Sequence, residues 1–192
     1  MKTYGDLECP DWQPVHKQKI EEARLHFAQV WSSAEFKAAV TNVDEFIWQG
    51  KKMMSGADLY SKLMRTSEKK MKCTAGERKK NEEAISYPDG ETLIELHYLN
   101  DKTARISDFV HTLSHEYTHY TEGVESWDRG HSRVVINYAS YGIGCITQHL
   151  AFPNELCGYE VDTKVTPARP GGPNATKAPE IEYTFRQALP HR

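Results

Sequence analysis

Apolar side chains recur at three- and four-residue intervals after Pro14. Ile20, Ala23, Phe27, Val30 and Trp31, with Leu25 and His26 among them, predict a helix of about five turns that breaks at Ser33 and resumes through Phe36. Ser55, three residues before Asp58, forms a reciprocal capping pattern, and Leu59, Tyr60, Leu63 and Met64 behind it predict a second, amphipathic helix. The period then changes. Thr92, Ile94, Leu96 and Tyr98 alternate after the turn sequence Pro88-Asp89-Gly90, which predicts a hairpin with arms over 83–87 and 91–99. Ser107 and Asp108 offer caps to a helix carrying Phe109, Val110, Leu113, Tyr117 and Tyr120, with a stop near Gly123. Another apolar helix is predicted over 132–150, and a third, after Pro153-Asn154, over 155–165. The prolines and glycines between Thr166 and Asn174 predict loop.

These elements predict an α+β fold: a small, mostly antiparallel sheet packed on the helix that begins near Ser107, with additional N-terminal and C-terminal helices. The 192 residues are read as one domain, with a helical N-terminal part over 1–66, a core over 83–165, and a Pro/Gly-rich loop and C-terminal segment over 166–192. The aromatics Phe46, Trp48 and Tyr60 read as core.

Charge narrows the function classes. Lys and Arg number 24 against 27 Asp and Glu, a net charge of −3, which excludes a globally basic nucleic-acid binder. A nucleic-acid partner would have to use the local run Lys69, Lys70, Lys72, Arg78, Lys79 and Lys80, which reads more simply as a solvated face or loop. No apolar run approaches the ~18 residues of a membrane span, so no membrane partner is expected. Met1 to Glu8 lacks the apolar stretch of a secretory signal, which points to a cytoplasmic chain or one exported without a leader. Cys9, Cys73, Cys145 and Cys157 form no CxxC pair and are expected to be free thiols. Asn174-Ala175-Thr176 matches a glycosylation sequon that no secretion signal supports.

The chemistry lies in His115-Glu116-Tyr117-Thr118-His119. On a helix, residues four apart sit one turn above each other, so both imidazoles face one point and Glu116 stands beside them. That combination supplies two zinc ligands and a general base. A catalytic zinc needs a third protein ligand and an open position. His111, one further turn back, reads as a core or supporting residue, and Cys145 and Cys157 as small buried hydrophobes.

This segment, with the strand before it, resembles the zincin metallopeptidases, in which a sheet edge precedes an HExxH active-site helix. The resemblance runs directly over Leu113 to His119 and more weakly over the flanking elements, about a third of the chain. It implies a Zn²⁺-dependent peptidase acting on a peptide or protein, with His115 and His119 as ligands and Glu116 taking the proton of a zinc-bound water. The metzincin continuation asks for Gly at position 122 and His at position 125, where this chain has Glu122 and Glu125. Peptide deformylase asks for an acid where Thr118 stands.

For the third ligand, Glu155 resembles the second-helix glutamate of gluzincins, and His131, after Gly130, resembles the Gly-His of SprT-like proteases. Glu160 and Glu125 are further candidates. Glu155 is the preferred ligand and His131 the preferred second catalytic residue, donating to the oxyanion, a role also open to Tyr141 or His149. The same metal chemistry would suit a cell-wall peptide amidase, and a zinc-stabilised nucleic-acid-associated module is the non-enzymatic alternative. A small leaderless peptidase would also suit a toxin or effector.

Overall fold

The computed structural model of the chain describes residues 4–8, 12–48, 52–66, 69–73, 83–87, 91–122, 138–155, 157, 160–166 and 180–186. In chain order these form β1 (Tyr4–Glu8), α1 (Pro14–Trp31), α2 (Ala34–Thr41), β2 (Phe46–Trp48), β3 (Lys52–Met54), α3 (Gly56–Leu63), β4 (Lys69–Cys73), β5 (Ala84–Ser86), β6 (Glu91–Ile94), α4 (Leu96–Asn100), α5 (Ile106–Glu122), α6 (Ala139–Ala151), β7 (Glu160–Thr166) and β8 (Glu180–Arg186). The fold is α+β. Among the described residues, no helix is long and apolar enough to cross a membrane.

One sheet runs in the order β1-β4-β6-β5, and β2–β3 and β7–β8 form separate two-stranded ribbons. In the four-stranded sheet β1–β4 and β4–β6 are parallel and only β5–β6 is antiparallel. It is therefore mixed, whereas the alternation predicts a mostly antiparallel sheet. Both parallel pairings involve β4, whose Lys-Lys-Met-Lys-Cys sequence reads as solvated charge, although its backbone pairs on both sides.

The hairpin forms where predicted, but its second arm stops at Ile94 and α4 follows. Tyr98 and Leu99 are both buried, a pairing of neighbours that a period-two strand cannot place on one face. The helix predicted over 155–165 is replaced by β7, paired with β8 from Glu160↔Arg186 to Thr166↔Glu180. Val161, Thr163 and Val165 on one strand, and Ile181, Tyr183 and Phe185 on the other, carry the alternation that outweighs the Pro153-Asn154 helix signal.

The N-terminal helices follow the sequence closely. Ser33 and Ser55 accept hydrogen bonds from the backbone N–H groups of Phe36 and Asp58, opening α2 and α3. Ile20, Ala23 and Phe27 are fully buried on α1, whereas Leu25 is 66% exposed and belongs to its outer face. At the start of α3 a Cβ on Gly56 would lie 2.0 Å from the Val40 carbonyl oxygen and 2.6 Å from that of Val43. Gly56→Ala is expected to cost about 1–3 kcal/mol, because backbone must move to admit the methyl group; urea denaturation of the variant measures it.

A buried face and long-range hydrogen bonds fix α5. Its core face of Phe109, Val110, Leu113 and Tyr117 is wholly buried. The Tyr4 hydroxyl donates to the Leu113 carbonyl at 2.9 Å, and burial holds that phenol well above its ordinary pKa, so it remains a neutral donor. The Trp31 indole N–H lies 3.1 Å from Ser114 Oγ and 3.0 Å from Thr147 Oγ1, tying α1 to both α5 and α6.

Candidate metal centre

Helix α5 begins as its sequence predicts, though with one change of partner. Asp108 accepts from the Arg105 backbone N–H at 2.9 Å, as the acid of a capping pattern does. The Ser107 hydroxyl instead donates to Glu155. Two turns further on, His115 Nε2 and His119 Nε2 are 3.0 Å apart. Two nitrogens about 2.0–2.1 Å from one tetrahedral ion stand roughly 3.3 Å from each other, so the pair already has close to the spacing that zinc requires. Ligand atoms of His115, Glu116 and His119 all lie within 4.8 Å of one another. The first two residues are buried, as a site with little competing water needs.

Glu116 is held from the sheet edge. Ser86 on β5 is 2% exposed, and its Oγ donates to Glu116 Oε2 at 2.6 Å, with the Glu116 carbonyl 3.0 Å away. Thr92 Oγ1 stands 3.4 Å from Ser86 Oγ and 2.8 Å from the Tyr120 hydroxyl, so a chain of hydroxyls backs the carboxylate. Sequence reasoning misses Ser86, whose only signal is a small hydroxylic residue at the turn end of the first hairpin arm.

Glu155 does not join the imidazoles, which corrects the preferred ligand set. Its carboxylate accepts from Ser107 and forms an ion pair with Arg105 at 3.1 Å. Ser107 lies eight residues before His115, about 12 Å along the helix axis, so Glu155 serves the opposite end of α5. His131, Glu125 and the side chain of Glu160 lie outside the described residues. Of the proposed oxyanion donors, Tyr141 on α6 is beside the site, its ring meeting that of His115 edge-on at 4.4 Å. His149 stands two turns further along α6, about 12 Å away on the axis, and burial lowers its pKa.

The cysteines also depart from expectation. Cys145 and Cys157 form a disulfide across Cα atoms 5.4 Å apart, tying Cys157 back to α6. Their spacing fits no familiar disulfide framework, so the sequence carries no sign of the bond.

His111 packs between α5 and α6. A Cβ on Gly144 would lie 2.8 Å from its Cε1, so a side chain there would push the imidazole aside. Burial pushes the His111 imidazole down to about 4, against the opposing pull of Asp108 and a hydrogen bond with Gln148. The folded chain thus refuses a proton that the unfolded chain accepts near 6.5. Stability from this group is complete above that pH and declines as pH falls toward 4, by about 3 kcal/mol in all. Urea midpoints of the metal-free protein should fall across this window, and His111→Gln should remove that part of the slope.

No family model, curated protein or solved structure matches the chain.

Proposed function

We propose that the chain is a zinc-dependent peptidase of zincin type, with His115 and His119 as ligands and Glu116 as general base. The observation that carries this reading is the approach of the two Nε2 atoms to 3.0 Å with the Glu116 carboxylate beside them. Zinc bound there supplies Lewis acidity, polarising a water and the scissile carbonyl.

The residues do the rest. Ser86 fixes one oxygen of Glu116 and so orients the carboxylate, which takes a proton from the attacking water and returns it to the leaving amine. Tyr141, packed on His115, is the phenol assigned to the developing oxyanion. The third ligand comes from the candidates His131, Glu125 and Glu160, with His131 taking Glu155's place as the first to test. The SprT-like resemblance thereby gains on the gluzincin-like one.

The test is a peptide-library digest with zinc-loaded protein, with chelator, and with zinc restored. Cleavage that disappears with chelator and returns with zinc supports the proposal. A chain that binds zinc yet cleaves nothing would favour the non-catalytic module.

A further inference from the structure

We propose that His111, Cys145 and Cys157 form a second metal site, for a divalent cation of the zinc class, which becomes available when the Cys145–Cys157 disulfide is reduced. A ring nitrogen of His111 and the two sulfurs lie within 4.8 Å of one another. His111 Nδ1 is buried and has no hydrogen-bond partner among the described residues. A buried imidazole nitrogen left so is costly, and that cost is offset if its lone pair meets a cation. In the disulfide the sulfurs are one bond apart, whereas around a tetrahedral zinc with bonds of about 2.3 Å they stand about 3.8 Å apart. Cα atoms 5.4 Å apart allow that separation by side-chain rotation. Phe152 and Glu155, a few residues before Cys157, are held independently of the disulfide: the Glu155 carboxylate meets Ser107 and Arg105, and the Phe152 ring lies 4.7 Å from that of His26. Opening the bond therefore leaves both sulfurs near His111.

A dithiol reductant gives two electrons and two protons to the Sγ–Sγ bond and closes its own disulfide. Each sulfur becomes a thiol, and binding of the cation by both sulfurs releases two protons to solvent. Two thiolates neutralise a doubly charged ion, so a metal here adds little repulsion to one held by His115 a turn away.

The test adds excess zinc to the full chain first and then a phosphine reductant, which takes up oxygen from water as it reduces the bond. Elemental analysis follows dialysis, and the readout is the increment in zinc per chain, independent of whether the His115–His119 site is filled. An increment of one is expected in the parent, none in the Cys145→Ser/Cys157→Ser variant, and an affinity at least tenfold lower in His111→Gln. Cobalt in place of zinc should give thiolate-to-metal charge-transfer absorption only after reduction. No increment in a reduced parent with unchanged circular dichroism overturns the site, as does an equal increment in the double serine variant. Loss of ellipticity on reduction despite excess metal also overturns it, since a filled site would hold the segment in place.

Discussion

Glu116→Gln should leave zinc content unchanged and lower peptide hydrolysis by about 10²–10⁴-fold. The amide keeps the shape of the carboxylate and can still accept from Ser86 Oγ, so the helix and its imidazoles have no cause to move. It cannot take the proton of the attacking water. Separation of the two measurements is the signature: elemental analysis equal to the parent beside turnover near background. Full turnover in the variant would show that Glu116 is not the base.

His115→Ala and His119→Ala should each lower zinc affinity by more than about 100-fold, because a site built from three protein ligands loses its geometry with any one of them. Glu155→Ala, by contrast, should retain zinc. Its carboxylate is half exposed and spent on Ser107 and Arg105, so its loss should cost no more than about 1 kcal/mol of stability. His131→Ala is the discriminating variant. Zinc loss there, with circular dichroism unchanged, assigns the third ligand to His131; retention moves it to Glu125 or Glu160. Metal titration of the four proteins decides among these outcomes, and parent-like affinity in both His115→Ala and His119→Ala would remove the metal centre.

The site helix was legible because its signals are local. Asp108 as cap, the buried run of Phe109, Leu113 and Tyr117, and two histidines four apart all follow from the helical period. Ser33 and Ser55 announce their helices in the same way. The parts that escape the sequence depend on distant partners. Nothing near Lys69–Cys73 indicates that its backbone pairs with both β1 and β6, and nothing near Ser86 indicates that Glu116, 30 residues on, receives its hydroxyl. Glu155 escapes for a related reason: its order in the chain suits a ligand, but its position is set by Ser107, 48 residues earlier. The β7–β8 pairing differs: its alternation is local to both strands and outweighs the helix signal of Pro153-Asn154.

The Trp31 indole has a consequence for the order in which the protein comes together. Its single N–H bridges hydroxyls 83 and 116 residues away, so the buttress behind the His115 turn closes only when three helices meet. Contacts of such separation form late, after the loop-closure entropy has been met. A ribosome-bound chain that has not yet released Thr147 lacks one of the two hydroxyls that the indole bridges. The His115 turn therefore gains its full buttress only once synthesis has passed Thr147, among the last events of folding.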